Sequence, residues 1–423
     1  MKLGYNEIMI TSMYFDDIED FINLEMGVKR FQGNVERFHF NPIPLNYCSR
    51  KLFTNIETFH IYNRSDEIFN DGKIFKKVIW YLVSYSTYLQ EKEQGNICKN
   101  IVYTQYDRKL YGNTIPSEVK SLGDYCFKDC YELTTINIPS TIIKLGDNCF
   151  DACKSLKSIT IPTTISKIGN DCFEECYSLK SINIPSSISK IGFDCFDGCT
   201  SLTSMNIENL QFISKKRIFM NEPVLISIEI PDNIQIINGK NIEKKDINKF
   251  IIPSSITKLG DYCFSYYPSL TLINIPSSII ELGYGCFYEC SSLKSINIQS
   301  SVSKLGNYCF SRCTSLKSIN ISSSITKLGY DCFEGCRSLT SINIPSSIIK
   351  IGKCCFRRCK SLKSINIPSS IKEIGNSCFY QCSSLISIDI PSSITLFGDG
   401  CFYECDCEEE LKKNERIPTD CFK

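Results

Sequence analysis

Cysteine is the residue type whose spacing in this chain points most directly to chemistry. Of 26 cysteines, twenty form ten Cys-Phe-x-x-Cys pairs that run from Cys126/Cys130 to Cys401/Cys405. Thiolates four residues apart, repeated along the chain, could supply four-sulfur zinc sites. In an oxidising compartment they could instead form disulfides. The third interpretation is that they are reduced thiols in a packed interior, where free cysteine behaves as a small hydrophobic residue.

Substitutions within this pattern favour the packed interior. Tyr267 replaces the second cysteine after Cys263, and in one degenerate copy Ile218 and Glu222 stand in place of both cysteines. A packing column accommodates isoleucine, whereas metal coordination accommodates neither isoleucine nor tyrosine. We therefore predict reduced core cysteines, no metal and no cofactor.

Few other residues in the chain could carry catalysis. Its two histidines, His39 and His60, lie outside the repeated region and are not part of a zinc-protease motif. Nucleophile-elbow, phosphate-loop and dinucleotide-binding motifs are also missing from the sequence. Acidic pairs such as Glu174-Glu175 fall at predicted surface turns, where solvated charge is the ordinary explanation. These features predict a protein that is not an enzyme.

The cysteine pairs belong to a block of about 23 residues that recurs from roughly Leu110 to Cys405. One copy, residues 178–200, reads SLKSINIPSSISKIGFDCFDGCT. Ten Ile-Pro-type prolines and three replacements mark thirteen units; the replacements are Glu208, Gln299 and Ser322. A fixed period of this length indicates a solenoid, in which no single unit can bury its apolar face alone. Between residues 207 and 249 we predict two degenerate repeats that keep the period, on the evidence of Phe219, Leu225, Ile228, Ile230 and Pro231.

Within one unit, the apolar spacing predicts a short strand. Leu179, Ile182 and Ile184 alternate with polar residues as strand residues do, and the proline that follows ends the strand. Stacked copies predict a parallel sheet with strands about 4.8 Å apart. We expect the glycine of each unit to permit the turn before the Cys-Phe segment. The predicted structural positions are Leu179, Ile182, Ile184, Pro185, Ile188, Ile191, Gly192, Cys195, Phe196 and Cys199.

The full pattern resembles a known repeat family. Ile-Pro-Ser-Ser-Ile-x-Lys-Ile-Gly-x-x-Cys-Phe-x-x-Cys-x-Ser-Leu-x-Ser-Ile-x-Ile is similar to the BspA-like, or Treponema-type, leucine-rich repeat, over about 300 of the 423 residues. That family usually has alanine where this chain has Cys195 and its equivalents. The resemblance implies a curved, right-handed leucine-rich-repeat solenoid with a binding or adhesive role, and it carries over no catalytic site. Members occur in surface-dwelling bacteria and in protozoan parasites.

One surface column of the repeats is basic. Like charges at strand spacing repel, so the column is either simply solvated, which we favour, or a stripe that binds anions. Glu281 and Glu373 interrupt it. Its members are Lys144, Lys167, Lys190, Lys258, Lys304, Lys327 and Lys350.

A second column, on the predicted sheet face, is mostly asparagine flanked by serine, as at Asn183 and Asn297. Stacked asparagines can hold neighbouring units in register by hydrogen bonding along the sheet. The alternative is a uniform polar face that binds an equally repetitive ligand such as a glycan.

Sequence variation is concentrated at the two residues between the phenylalanine and the second cysteine of each unit. We predict that these positions face outward and select a partner, although neutral variation on a solvated edge gives the same pattern. The candidate interaction residues on this turn edge are Tyr288, Arg312, Arg357, Arg358 and Tyr380.

Residues 1–100 lack the period and predict a mainly helical cap before the repeats at 101–405, and residues 406–423 form a C-terminal cap or tail. An amphipathic helix is predicted over 13–26, capped by Thr11 or Asp17, then a second helix over 28–38 and the first strand within 52–62. Helices ahead of leucine-rich repeats also weakly resemble the F-box arrangement. That resemblance implies an intracellular adaptor whose helices recruit a partner while the repeats select a target.

Charge and hydropathy limit the partners and the cellular location that can be expected of such a protein. A net charge of +1 gives no global attraction to nucleic acid or membrane. The chain opening shows neither a signal peptide nor a transmembrane run, which predicts a cytoplasmic protein, with unconventional surface association as the alternative. The sequence as a whole predicts a non-catalytic scaffold for a protein or glycan ligand.

Overall fold

The computed structural model describes residues 5–69, 71–214, 216–242 and 249–423. These residues form two compact units. The first contains the chain up to Phe127 together with residues 137–149, and the second contains residues 128–136 and 150–423.

The first unit begins with short helices around an aromatic core. Asp17 caps the second helix, because its carboxylate accepts a hydrogen bond from the backbone N–H of Asp20 at 3.1 Å. Phe21 is fully buried there and meets Phe38 and Phe53 edge to face, with ring centroids 6.0 and 5.4 Å away. The helices of this unit are Tyr5–Ser12, Ile18–Gly27, Tyr85–Glu93 and Gln105–Tyr111.

The second predicted helix, over 28–38, is wrong. Two separate 3₁₀ turns occupy that stretch, Lys29–Phe31 and Val35–Arg37, and a third follows at Ser49–Lys51. Gly33 lies between the first two with φ +79°, a left-handed conformation that ends helical geometry. The first predicted helix is shorter than expected, because it starts only at Ile18.

The sheet of the first unit starts where the sequence predicted, within 52–62. Its five strands are all parallel and lie in chain order: Thr58–Ile61, Lys76–Ser84, Ile97–Tyr103, Ser121–Leu122 and Lys144–Leu145. The helical N-terminal region therefore contains three strands of its own, and the first two repeat strands add to them.

The repeats form a parallel β-solenoid of about 13 turns with about 23 residues in each turn, which confirms the predicted fold class. Most turns contribute two strands where the sequence predicted one. In the second unit the predicted strands form what we call the Ser-Ile-Asn face, after its commonest residues. Its strands are Thr135–Ile136, Ser158–Ile159, Ser181–Ile184, Ser204–Ile207, Lys249–Ile251, Leu272–Asn274, Ser295–Asn297, Ser318–Asn320, Ser364–Asn366 and Ser387–Asp389.

The additional strands carry the basic column, and we call them the lysine strands. They pair in parallel, for example Lys258–Leu259 with Glu281–Leu282 and then Lys304–Leu305. In the second unit they are Lys167–Ile168, Lys190–Ile191, Lys258–Leu259, Glu281–Leu282, Lys304–Leu305, Lys350–Ile351, Glu373–Ile374 and Leu396–Phe397.

The interior of the second unit is a set of residue columns. One phenylalanine per turn stacks on the next from Phe264 to Phe402, with ring centroids 5.4 to 5.7 Å apart and nearly parallel planes. Ile188, Ile191 and Leu202 are buried as predicted. The stacking makes stability depend on contacts between neighbouring turns.

Between 207 and 249, the two predicted degenerate repeats depart from the regular order of strands. An antiparallel meander is inserted there, formed by Leu210–Ile213, Arg217–Met220 and Val224–Glu229. Its last strand pairs with Lys258–Leu259, a lysine strand, although its sequence aligns with the Ser-Ile-Asn position. Ile236–Ile237 shows the opposite exchange and pairs with Ser204–Met205, then with the short strand Lys240–Asn241. Apolar residues that keep the spacing of the repeat can thus also form antiparallel strands.

The C-terminal segment closes the last turn. After the helix Glu408–Leu411, the 3₁₀ turn Thr419–Phe422 continues the ladder between turns, since the Phe402 N–H donates to the Cys421 carbonyl at 2.9 Å.

Candidate interaction surfaces

The paired cysteines are core residues, as predicted. All of them are buried, and the second thiol of a pair donates to the carbonyl oxygen of the phenylalanine in the preceding turn, as from Cys199 to Phe173 at 3.1 Å. The bond joins residues 26 apart and thus holds neighbouring turns together. The thiols that make it are Cys176, Cys199, Cys290, Cys313, Cys336, Cys359, Cys382 and Cys405.

Burial also lowers the reactivity of these thiols. Among the paired cysteines, burial raises the pKa of Cys199 to about 12 despite an opposing backbone hydrogen bond, so this thiol stays protonated near neutral pH. Burial likewise raises the pKa of Cys98, a buried cysteine outside the pairs, to about 11. A protonated thiol is a poor nucleophile and a poor metal ligand. Across the described ranges, no group of three or more His, Cys, Asp or Glu side chains is arranged to hold a metal ion. Cys48 is the exposed cysteine of the chain.

The lysine strands do not present a uniform row of free cations. Glu281 forms ion pairs with Lys258 at 3.1 Å and with Lys304 at 2.9 Å, and these lysines lie on the two strands next to it. Glu373 likewise pairs with Lys350 at 2.7 Å. The two glutamates that interrupt the column therefore neutralise the lysines beside them.

The remaining members of the basic column differ from one another. Lys190 reaches Asp261 at 2.8 Å. Lys144, Lys167 and Lys327 are exposed and have no ion pair within the described part of the chain. Among the described residues, unpaired positive charge is thus limited to three members of the column.

The Ser-Ile-Asn face is polar and shallow. In strand Ser295–Asn297 the isoleucine is buried and the serine and asparagine are exposed, and the same pattern recurs in Ser318–Asn320. The strands lie in exact register, Asn297 opposite Asn320. With Leu272–Asn274 they line a groove of about 450 Å³. This face offers hydroxyl and amide groups repeated at strand spacing.

The prediction that both residues after each phenylalanine face outward is wrong for several turns. Asp151, Ala152 and Ser311 are buried. The next or preceding turn covers them: Asp151 binds Lys128 at 2.5 Å, and the Ser311 hydroxyl donates to a Glu334 carboxylate oxygen at 3.1 Å. The second of the two residues has a left-handed backbone in most turns, as at Arg312 (φ 57°) and Arg358 (φ 60°).

Two predicted residues of this edge line a common depression, which we call the turn-edge groove. Its volume is about 530 Å³. The charged and aromatic side chains that line it are Tyr266, Glu289, Arg312, Glu334, Arg337 and Arg358.

Stacked rings and paired charges hold the groove in place. Arg312 binds Glu289 at 2.8 Å and approaches Glu334 at 3.6 Å, while its guanidinium lies 5.8 Å from the centre of the Tyr288 ring. Beside the groove, the guanidinium of Arg357 lies 5.1 Å from the ring of Tyr380. All five predicted turn-edge residues thus lie in or next to this depression.

Sequence reasoning missed Arg217, which lies inside the inserted meander and is only 3% exposed. The one available signal was a charged residue within the apolar run Arg-Ile-Phe-Met at 217–220. Burying a guanidinium requires paired, hydrogen-bonded surroundings, so this residue marks a special site.

These features agree with comparisons to known proteins. The profile of the BspA type leucine rich repeat region matches residues 103–222, 213–340 and 327–423 in six copies. The chain therefore belongs to this family, as its repeats predicted. Leucine-rich repeat proteins are in general interaction scaffolds, with extended binding surfaces.

Comparison with solved structures finds other leucine-rich repeat proteins. A leucine-rich repeat protein from Eubacterium ventriosum is 23% identical, with a TM-score of 0.46 over 79% of this chain and 84% of that one. A leucine-rich repeat protein from Bacteroides ovatus is 24% identical, with a TM-score of 0.37 over 88% and 92%. A leucine rich cell surface protein from Faecalibacterium prausnitzii is 22% identical, with a TM-score of 0.36 over 73% and 82%. No curated protein matches the chain. None of the helices in the described ranges has the length and apolar character to cross a membrane.

Proposed function

We propose that this protein is a non-catalytic scaffold that binds a protein partner through the turn-edge groove. The observation that carries the proposal is the groove itself, where successive turns place three arginines, two glutamates and a tyrosine around one depression. Arginine and tyrosine are enriched among the residues that dominate protein interfaces. The groove also lies where the repeat sequence varies most, whereas the other faces are nearly uniform.

The charge pattern favours a partner with acidic side chains. Arg312 is already paired with Glu289, whereas Arg337 is exposed and has no ion pair within the described residues. Charges arranged in this way steer a partner and fix its register more than they raise affinity.

The test is quantitative affinity capture with the full chain. Arg337→Glu combined with Arg358→Glu should lose the partner. Lys154→Glu is the control, since Lys154 is also an exposed cation beside tyrosine rings, 5.3 Å from the ring of Tyr131 and 5.4 Å from that of Tyr177. A partner kept by the double variant, or lost equally from the control, contradicts the proposal.

A second candidate is adhesion to a glycan at the cell surface, which the Ser-Ile-Asn face favours. Its evenly spaced hydroxyl and amide groups suit a polymer with its own regular repeat. Asn297→Leu with Asn320→Leu should abolish binding on a glycan array, and Lys317→Leu, a neighbouring exposed position, should not. Protease shaving of intact cells tests the location: cleavage supports the surface role, and protection until lysis supports a cytoplasmic scaffold.

The adaptor-like alternative rests on the first two helices and the turn between them, which carry exposed apolar side chains. Tyr14 is 82% exposed and Met26 is 79% exposed, with Ile10 also exposed nearby in sequence. Tyr14→Lys with Met26→Lys should abolish co-purification of a ligase adaptor with the full chain. If no adaptor co-purifies with the unmodified protein, this alternative is wrong.

A further inference from the structure

The inserted meander builds a small cavity against the repeat turn that precedes it. Its volume is about 150 Å³, and its walls are the segments 192–200 and 228–233 together with Arg217. At about 30 Å³ per water molecule, this is room for about five waters or one small organic molecule.

Arg217 provides a positive group at this cavity, and not all of its N–H donors have a hydrogen-bond acceptor. Its Nε donates to the Ser227 hydroxyl at 2.7 Å, and its Nη1 donates to a Glu229 carboxylate oxygen at 3.0 Å and to the Ser265 carbonyl at 3.1 Å. Nη2 has no partner among the described residues. A buried guanidinium N–H is stable only with a hydrogen-bond acceptor, and a carboxylate fits the planar guanidinium best.

Asp194 provides an unused negative group in the same cavity. It is half-buried and lines the cavity, and its carboxylate makes no hydrogen bond or ion pair with any of the described residues, although its backbone carbonyl accepts the Asp197 N–H at 3.0 Å. Burial raises its pKa, the charge of Asp197 adds to the rise, and Arg217 opposes it. A cation beside Asp194 would relieve both unfavourable contributions.

The rest of the wall is partly apolar. Phe196 and Ile228 are buried and line the cavity, beside the backbone of Gly198. An apolar group of a few carbon atoms would replace water along this surface.

We propose that this cavity binds a free α-amino acid with a short apolar side chain, its carboxylate on Arg217 Nη2 and its ammonium group on Asp194. A simple anion would face Asp194, Asp197 and Glu229 with only one guanidinium to receive it. A simple cation would leave Nη2 without an acceptor. A zwitterion satisfies both groups at once. This site is separate from the turn-edge groove and does not depend on the proposed scaffold role.

The first experiment is calorimetric titration of the full chain with three related molecules, accompanied by thermal unfolding. Valine carries both charged groups, 3-methylbutanoate lacks the ammonium, and isobutylamine lacks the carboxylate. We expect valine to bind and to raise the unfolding temperature, and each analogue to bind at least tenfold more weakly. Equal binding of either analogue overturns the zwitterion assignment. If none of valine, alanine and leucine binds, the site itself is refuted.

The second experiment uses variants. Asp194→Asn should weaken valine binding at least tenfold while the protein stays folded, because asparagine tolerates the left-handed backbone at this position (φ 50°). Asp171→Asn is the matched control, since Asp171 has the same position one turn earlier and also φ 50°. Arg217→Lys should lose binding too, and its unfolding temperature reports separately on folding. Unchanged valine affinity in Asp194→Asn overturns the proposal.

Discussion

A Cβ atom placed on Gly192 would lie 2.3 Å from the backbone nitrogen of Asn170 in the preceding turn. The glycine was predicted to permit a turn, but its φ is not in the left-handed region. Its role is instead to let two turns approach closely: the Gly192 N–H donates to the Ile168 carbonyl at 3.0 Å, and the Phe193 N–H donates to the side-chain oxygen of Asn170. The repeated glycine therefore sets how closely the turns pack.

Gly192→Ala should destabilise the second unit by about 1–3 kcal/mol, because the added methyl group must displace backbone rather than a flexible side chain. Urea unfolding followed by circular dichroism measures the change. Gly27→Ala is the control, since a Cβ there meets nothing within 4 Å, and its effect should stay within about 0.5 kcal/mol. Equal stability of Gly192→Ala and the unmodified protein would contradict the packing argument.

The strand Ser181–Ile184 could be predicted because Ile182 and Ile184 alternate with polar residues. The lysine strands could not, because Lys190–Ile191 is only two residues long and offers no alternation to detect. A strand of that length is stabilised by pairing with its neighbours rather than by its own sequence. The meander escaped prediction for a related reason, since Ile228 and Ile230 keep the repeat spacing while the chain runs antiparallel.

The candidate surfaces were predictable only in part. Position in the repeat correctly brought Arg312 and Arg358 to one edge, because equivalent residues stack in a solenoid. Burial at those positions depends on what the adjacent turn presents: Ser311 is covered because Glu334 accepts its hydrogen bond. Such pairings join residues 23 apart and are not encoded in either repeat alone.

Cys290→Ala should cost about 1–3 kcal/mol, because it leaves the Phe264 carbonyl without the thiol donor now 3.0 Å away and opens a small void. Cys290→Ser retains a donor and should cost less. Thermal unfolding of the two variants side by side gives the comparison. If serine is the more disruptive substitution, desolvation of the hydroxyl outweighs the hydrogen bond and our account of this position is wrong.

Alkaline pH should destabilise the solenoid. Burial raises the pKa of Cys290 to about 12, against an ordinary value of 9.0 that applies when the chain is unfolded. The folded chain then holds protons that the unfolded chain releases, so the free energy of unfolding falls as pH rises above 9 toward 12. Urea unfolding at pH 8 and at pH 10.5 should show the loss, and a flat profile would be inconsistent with buried thiols.

Thiol labelling gives an independent check of the same burial. At pH 8 a thiol reagent should label one site rapidly, Cys48, and the others only after denaturation. Cys48→Ser should remove the rapid phase completely. Rapid labelling of several thiols in the folded protein would show that the cysteine columns are open to solvent.

Glu281→Gln should lower the free energy of unfolding, measured by urea unfolding, about twice as much as Glu373→Gln does. Glu281 bridges two lysines, whereas Glu373 has one described partner, Lys350. Removing the bridge leaves Lys258 and Lys304 as like charges two strands apart. For a partly exposed pair each lost contact costs about 0.2–1 kcal/mol, and added salt should reduce the difference.

The same carboxylate predicts an acid-side effect. Burial alone would raise the pKa of Glu281, but hydrogen bonds from Lys304 and Lys258 outweigh burial and hold the pKa below its ordinary value of 4.5. A lowered pKa contributes stability that is present above pH 4.5 and is lost as pH falls through the folded-state value. The stability gap between the unmodified protein and Glu281→Gln should therefore close in acid. A gap that is unchanged at pH 3 would mean that the substitution acts through packing and not through charge.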